Sequence, residues 1–139
     1  MIVLDTNVIS ALMMPGMNPA MVSWLDRQPA SVIWITAVSL LEVRSGLFLL
    51  PDGRRKSGLL EQFDRFLSDV VANRILSFDR NAAETAATLS AKRVAVGRII
   101  DRMDTLIAGI VVSRRATLAT RNIRHFSDLD VPLVNPWES

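Results

Sequence analysis

Residues 2–7 read Ile2-Val3-Leu4-Asp5-Thr6-Asn7, an apolar run that leads directly into an acid and two polar side chains. The apolar run does not alternate with polar residues, so it predicts a short strand that is buried on both faces, as in a parallel sheet. Asp5 would then lie at the carboxyl end of this strand, where open parallel sheets form their ligand sites.

The rest of the chain alternates between strand-like and helix-like segments. Further strands are predicted at residues 31–35, 74–78, 117–120 and 131–134, with helical patterns between them. The clearest helix has apolar residues at helical spacing from Leu59 to Val71, after a loop that includes the basic run Arg54-Arg55-Lys56. This alternation predicts a single α/β domain over residues 1–139, with helices on both faces of a mostly parallel sheet of four to five strands.

Composition excludes several classes of active site. The 139 residues include no cysteine, which rules out a disulfide scaffold, a thiolate zinc site and a cysteine nucleophile. His125 is the only histidine, so a zinc site built on several histidines is excluded as well. We interpret His125 itself as a surface or satisfied histidine rather than a general base.

Charge and hydropathy bear on the partners and the cellular location of the protein. The net charge of +2 is compatible with a polyanionic partner but does not demand one. The sequence contains no secretion-signal pattern and no apolar stretch long enough to span a bilayer, so we expect a cytoplasmic protein without a membrane partner.

Several acidic residues have reasons to converge at one edge of the predicted sheet. Glu42 interrupts a helix that is apolar nearly all round, so its carboxylate is expected to be partly desolvated. Asp104 lies in the first turn of another helix, and Asn122 follows the predicted fourth strand. Clustered carboxylates are tolerated when they hold a hard cation such as Mg²⁺ or Mn²⁺, which prefers oxygen ligands and can activate water.

Each of these residues also has a structural interpretation. Asp5 suits the N-cap of the next helix, and Asp101 or Asp104 suits a helix N-terminus because the helix dipole favours an acid there. Glu42 could pair with Arg44, Arg98 or another arginine. From the residues alone, both interpretations stay open.

Five segments of the chain carry a resemblance to a known family. The segments are Ile2-Val3-Leu4-Asp5-Thr6-Asn7-Val8-Ile9-Ser10, Leu41-Glu42-Val43-Arg44-Ser45-Gly46 with its continuation Leu50-Pro51-Asp52-Gly53-Arg54-Arg55, Gly97-Arg98 with Asp104-Thr105-Leu106-Ile107-Ala108, Leu118-Ala119-Thr120-Arg121-Asn122-Ile123-Arg124-His125-Phe126, and Asn135-Pro136-Trp137. Together they resemble the motifs of the PIN-domain ribonucleases, in particular the toxins of bacterial VapBC-type toxin–antitoxin pairs. The likeness covers essentially the whole chain, in order. The chain departs from the family pattern at Ile99, where proline is usual, and at Asp101, where a small polar residue is common.

The resemblance implies a three-layer α/β/α PIN-like domain and a set of site residues. Asp5, Glu42 and Asp104 match the three acidic metal-binding positions, and Asn122 matches a fourth catalytic position. Thr6 and Thr120 match hydroxyl positions beside the site. Asp101 has no counterpart in the family pattern, but it lies one helical turn before Asp104 and could supply, from the second shell, the charge that Asn122 lacks.

The resemblance also implies an activity and its partners. The expected protein is an endoribonuclease toxin that cleaves RNA with Mg²⁺ or Mn²⁺, is neutralised by a cognate antitoxin, and forms a homodimer that can assemble further with the antitoxin. Five basic residues are predicted to contact RNA phosphates: Arg44, Arg54, Arg55, Lys56 and Arg121.

Two alternative functions are also considered for these residues. The first is a phosphatase or phospho-acceptor domain with Asp5 as nucleophile, although haloacid-type phosphatases need a second aspartate where this chain has Asn7. The second is a PIN-like binding module without catalysis, which the absence of any bound divalent cation would favour.

Overall fold

The computed structural model describes residues 1–138, and within them five parallel strands form one sheet in the order β3-β2-β1-β4-β5. The strands are β1 (Ile2–Leu4), β2 (Ile33–Thr36), β3 (Ile75–Leu76), β4 (Thr117–Ala119) and β5 (Leu133–Val134). The predicted parallel sheet of four to five strands is therefore confirmed, with five strands and no antiparallel pair in the described chain.

Helices cover both faces of this sheet. They are α1 (Thr6–Leu12), α2 (Pro19–Asp26), α3 (Ala37–Phe48), α4 (Arg54–Arg65), α5 (Arg80–Ala95) and α6 (Arg102–Ser113). Successive residues of β1 point to opposite faces. Leu4 packs into a core with Val8 and Phe63, whereas Val3 packs into a second core with Ile107. The predicted three-layer α/β/α arrangement is confirmed.

The start of α4 corrects the sequence-based prediction. The run Arg54-Arg55-Lys56 was expected to extend a loop, but it forms the first turn of α4. Gly53, with φ of +150°, ends the loop immediately before it. Lys56 then donates to the carbonyl of Phe48 at 2.8 Å and to Asp52 at 3.1 Å, which fixes that turn against the end of α3.

The second strand also differs slightly from expectation. It was predicted at residues 31–35 and begins instead at Ile33, because Ala30–Val32 forms a 3-10 turn.

The helices that carry the predicted site begin at capped residues. Asp5 accepts from the backbone N–H of Thr6 at 2.8 Å and so caps α1. Thr36 accepts from the N–H of Ser39 at 3.0 Å and caps α3. Asp101 accepts from the N–H of Met103 at 2.8 Å and caps α6. These caps satisfy N–H groups that the helices leave without partners, and they fix the first turns that face the site.

Helix α6, which carries Asp104, lies in close contact with α5. A Cβ atom on Gly109 would lie 2.6 Å from the carbonyl oxygen of Ala82 and 2.7 Å from the Cβ of Ala86, so only glycine permits this approach. Gly97, with φ of +71°, ends the preceding segment in the left-handed conformation that glycine favours, as the sequence predicts.

Across residues 1–138, the structure has no helix of sufficient length and apolar character to cross a membrane.

Candidate active site

The site lies where the direction of the strand order reverses. Strand β1 lies between β2 and β4, and the chain leaves β1 towards β2 on one side but leaves β4 towards β5 on the other. Open parallel sheets form ligand crevices at such a point. Asp5 directly follows β1, and Thr120 directly follows β4. The predicted placement of both residues at this edge is confirmed.

Asp5 is buried, with 2% of its surface exposed, and its two oxygens have different partners. Oδ1 accepts from the N–H of Thr6 at 2.8 Å. Oδ2 accepts from the hydroxyl of Thr120 at 2.7 Å and from the amide of Asn7 at 3.3 Å. Because each carboxylate oxygen has two lone pairs, these bonds orient Asp5 and still leave acceptor capacity.

The charge on Asp5 is disfavoured in this environment. The pKa of Asp5 is raised from 3.8 to about 6, chiefly by burial, and the nearby Asp104 and Glu42 carboxylates contribute to this rise. Hydrogen bonds from Thr120 and Thr6 act in the opposite direction but do not cancel the rise in pKa. Among the ion pairs of residues 1–138, none brings a lysine or arginine to Asp5 or Glu42. Asp5 is therefore an uncompensated buried acid beside two others.

Glu42 is held by hydroxyl groups rather than by an arginine. The Thr6 hydroxyl donates to Glu42 Oε1 at 2.6 Å, and Thr6 Oγ1 lies 2.9 Å from the hydroxyl of the buried Ser39. Since a threonine hydroxyl has one proton, Ser39 donates to Thr6 and Thr6 donates to Glu42.

The interpretation that Glu42 pairs with Arg44 or Arg98 is wrong. Arg44 pairs with Asp64 at 2.9 Å. Arg98 instead donates to the carbonyl of Arg124 and to Ser127.

Asp104 and Asp101 have different surroundings although they lie one helical turn apart. Asp104 is 18% exposed in its side chain, and its Oδ2 is 2.9 Å from Nδ1 of His125. Asp101 is exposed and uses Oδ1 to cap α6. The helix-terminus interpretation is thus confirmed for Asp101, whereas Asp104 is directed towards the site and is one of the acids that act on Asp5.

Two asparagines close the site on the β4 side. Asn7 donates to Asp5, and its Oδ1 accepts from the backbone N–H of Arg121 at 3.2 Å. Asn122 is exposed, and its N–H donates to Thr120 Oγ1 at 3.0 Å. A haloacid-type phosphatase would need a second acid at position 7. Asn7 instead has an amide that donates to Asp5, which argues against a phosphatase.

The five basic residues predicted to contact RNA have different surroundings. Arg55 lines a groove that also contains Thr6 and Glu42, and Arg121 lies beside Asn122 with its guanidinium 4.9 Å from the ring of Trp137. Arg54, at the start of α4, is exposed. Arg44 and Lys56 are engaged elsewhere, with Asp64 and with Asp52 respectively. Arg55 and Arg121 are thus the two that border the site without an ion pair elsewhere among the described residues.

The donor set suits a hard divalent cation, because it consists of carboxylate and amide oxygens and no lysine or arginine in the described part of the chain forms an ion pair with Asp5, Glu42 or Asp104. No three acid or histidine side chains of the described residues are arranged to ligate one ion together. Mg²⁺ does not require such a cage, since it commonly uses one or two carboxylates and keeps several waters.

Sequence reasoning missed two buried residues near the site. Ser39 is fully buried behind Thr6, and Arg93 is 3% exposed behind Asp104. A serine at the third position of a capped helix and an arginine in an alanine-rich helix carry no distinct pattern, because the partners that bury them come from distant segments. The one sequence signal for Arg93 is its position on the helical face of α5 that is predicted to be buried, where a charged residue is unexpected.

The fold and the site define a class of protein. It is a parallel α/β domain with clustered acids at the point where the strand order reverses. The chain belongs to the PIN domain family, whose model matches residues 2–132.

Individual relatives match over nearly the full length. VapC ribonuclease Y4jK of Sinorhizobium fredii is 33% identical over 138 residues, covering 99% of both proteins. Toxin FitB of Neisseria gonorrhoeae is 35% identical over 137 residues, again covering 99% of both. The crystal structure of FitAcB from Neisseria gonorrhoeae superimposes with a TM-score of 0.90 at 34% identity, covering 100% of each chain.

Proposed function

We propose that the protein is a divalent-metal-dependent endoribonuclease that acts as the toxin of a toxin–antitoxin pair. One observation carries the proposal: the buried Asp5 carboxylate, with its pKa raised to about 6, adjoins Glu42 and Asp104, and no lysine or arginine among residues 1–138 forms an ion pair with these three acids. In a PIN domain whose relatives include a VapC ribonuclease, a hard cation is the natural counter-charge for these acids.

Asp5, Glu42 and Asp104 are the residues that would hold Mg²⁺ or Mn²⁺, and Asn122 would complete the shell directly or through water. When bound, such a cation promotes attack of water on the phosphodiester and stabilises the leaving oxygen. The protein's own contribution is to orient the acids. Thr120 and the Thr6 N–H hold Asp5, while the Thr6 hydroxyl holds Glu42.

Phosphate groups of the RNA would meet positive charge on both sides of the acids. Arg55 borders the groove on the Glu42 side, and Arg121 stands next to Asn122. The Arg121 guanidinium is kept near the site by its contact with Trp137. These residues supply charge attraction to the RNA backbone rather than base recognition.

Cleavage should depend strictly on a divalent cation. The purified chain is expected to cut single-stranded RNA with Mg²⁺ or Mn²⁺, to stop with excess chelator, and to recover when the cation is restored. Gel analysis of labelled RNA measures this. Undiminished cleavage in chelator would overturn the metal mechanism, and absence of cleavage with absence of Mn²⁺ binding would favour the non-catalytic binding module.

An apolar groove of about 310 Å³ next to the acids suits the antitoxin. It lies between α1, α3 and α4, and Glu42 and Arg55 form its polar end. Its apolar wall is formed by Met13, Met14, Val43, Leu47, Leu50 and Leu59. An amphipathic helix fits such a groove, and a basic side chain on it would neutralise the acids. We propose that the antitoxin blocks the site in this way.

A bulky side chain in this groove should weaken antitoxin binding without affecting cleavage. A Cβ on Gly46, which lines the groove, meets no atom within 4 Å, so Gly46→Gln is expected to fold normally. Gly58 is also helical and equally free of contacts, but it does not line the groove, so Gly58→Gln is the matched control. Co-purification with the product of the adjacent gene should fall only for Gly46→Gln. Equal binding by both variants would place the antitoxin elsewhere.

The homodimer, its further assembly with the antitoxin and the cytoplasmic location stay predictions. Light scattering of the purified protein is the direct measurement of the dimer.

A further inference from the structure

Arg93 is a charged side chain in a place where charge is costly. It projects from α5 and is 3% exposed, whereas a buried guanidinium is tolerated only with a complete set of partners. Nε donates to Asp128 Oδ2 at 2.8 Å and Nη2 donates to Asp128 Oδ1 at 3.0 Å, a two-pronged pair that neutralises the charge. The hydrogen bond from Arg93 is also the main reason that the pKa of Asp128 is lowered.

The remaining donors of Arg93 reach two segments that carry active-site residues. Nη1 donates to the hydroxyl of Thr105 at 2.9 Å, and Thr105 directly follows Asp104. Nη2 donates to the carbonyl of His125 at 2.9 Å. One guanidinium therefore joins the first turn of α6 to the turn after β4.

These two segments also meet at the site itself. The ring of His125 contacts Asp104 at 2.9 Å, and the His125 N–H donates to the carbonyl of Asn122 at 3.0 Å. A shift of the turn relative to α6 would separate Asp104 from His125 and would move Asn122, which is hydrogen-bonded to His125 within the turn. Arg93 opposes that shift from the buried side, and its four hydrogen bonds are short enough to fix the spacing.

We propose that Arg93 is a positioning residue that clamps the first turn of α6 to the turn of residues 122–128, and thereby fixes Asp104, His125 and Asn122 relative to one another. Arg93 acts through Thr105 and the His125 backbone rather than through a bond of its own to Asp5, Glu42 or Asp104. The consequence for metal binding rests on the proposed function, whereas the clamp itself does not.

Two variants test the clamp at different strengths. Arg93→Lys keeps the charge but loses the planar fork, so it cannot serve Asp128, Thr105 and His125 together. Thr105→Val is close in shape and removes only one partner of Arg93, which keeps the test valid if Arg93→Lys folds poorly. Thr105→Ser restores the hydroxyl and should rescue the wild-type properties.

Arg74 provides the matched control. Like Arg93 it donates to backbone carbonyls, those of Ala30, Ile33 and Val70, but it lies at the amino ends of β2 and β3, the edge opposite the site. Arg74→Lys is expected to lower the melting temperature without altering the site.

Two readouts separate positioning from general stability. His125 is the only histidine, so its imidazole NMR signal reports the contact with Asp104 in metal-free protein without assignment ambiguity. Calorimetric titration with Mn²⁺ reports the ligand geometry, for which loss of a supporting residue typically costs about tenfold to a hundredfold in affinity. In cleavage assays we expect kcat to fall while KM stays near the wild-type value.

The expected result is that Arg93→Lys and Thr105→Val shift the His125 signal and weaken Mn²⁺ binding at least about tenfold, while Arg74→Lys and Thr105→Ser change neither. The inference is overturned if Arg93→Lys lowers the melting temperature but leaves the His125 signal and Mn²⁺ affinity at wild-type values. If the wild-type protein binds no Mn²⁺, the proposed function fails, and a His125 shift confined to Arg93→Lys and Thr105→Val still supports the clamp.

Discussion

Replacement of Asp5 by asparagine is expected to abolish RNA cleavage and, in the absence of metal, to stabilise the protein. The pKa of Asp5 is raised from 3.8 to about 6, chiefly by burial. Because one pKa unit corresponds to about 1.4 kcal/mol, the ionised form costs the folded state about 3 kcal/mol at neutral pH. The asparagine side chain removes this charge, retains an oxygen for the Thr6 N–H, and deprives the cation of a charged ligand. Its NH2 group can donate to the Thr120 hydroxyl oxygen, so the bond given up is the long one from Asn7 at 3.3 Å.

The dependence of stability on pH gives this prediction a definite sign. The pKa of Asp5 is higher in the folded than in the unfolded state, so its contribution to stability is fully present below about 3.8 and is lost as the pH rises through about 6. Urea unfolding in chelator should therefore show a wild-type free energy of unfolding that declines between about pH 4 and pH 6.

Urea unfolding of Asp5→Asn in chelator should show no such decline in the free energy of unfolding. Asp128, whose pKa is lowered by Arg93, acts in the opposite direction and at lower pH, so it does not obscure the difference. An equal slope in both proteins would contradict the buried, uncompensated charge that we assign to Asp5.

Replacement of Asp104 by asparagine is expected to remove cleavage while leaving the fold intact. The change keeps the shape of the side chain and removes a charge that raises the pKa of Asp5, so the metal-free protein should be as stable as the wild type or more so. Melting temperature and cleavage rate measured on the same sample test both parts.

Asp101 is the natural control for Asp104, because it lies one turn earlier on the same helix and serves as its cap. Asp101→Ala should lose about 1 kcal/mol of stability through loss of the cap, with cleavage retained. If Asp101→Ala abolished cleavage as Asp104→Asn does, Asp101 would have a role at the cation that its observed hydrogen bond to Met103 does not indicate.

The sequence predicts the framework well because strands and helices leave periodic patterns. The unbroken apolar run before Asp5 predicts β1, and the strand before Thr120 predicts β4, so the shared edge of these residues follows from parallel pairing alone. Once α3 and α6 are assigned, Glu42 and Asp104 can be proposed as site residues. The capping of α1 by Asp5 is also predictable, since it depends on neighbouring residues.

Interactions between distant segments could not be predicted in this way. Ser39 supports Glu42 through Thr6, and Arg93 joins α5 to the turn at His125, yet nothing local to either residue specifies these partners. The start of α4 was missed for a related reason. A basic run resembles a solvated loop, and the contact that holds its first turn, from Lys56 to the carbonyl of Phe48 at the end of α3, joins separate segments.

The most direct test of the account is calorimetric titration of Mn²⁺ into the metal-free wild type, Asp104→Asn and Asp101→Ala. The account predicts that the wild type and Asp101→Ala bind Mn²⁺ with similar affinity, and that Asp104→Asn binds at least about tenfold more weakly. Equal Mn²⁺ affinity of Asp104→Asn and the wild type would contradict the assignment of the Asp5, Glu42 and Asp104 cluster as the catalytic metal site.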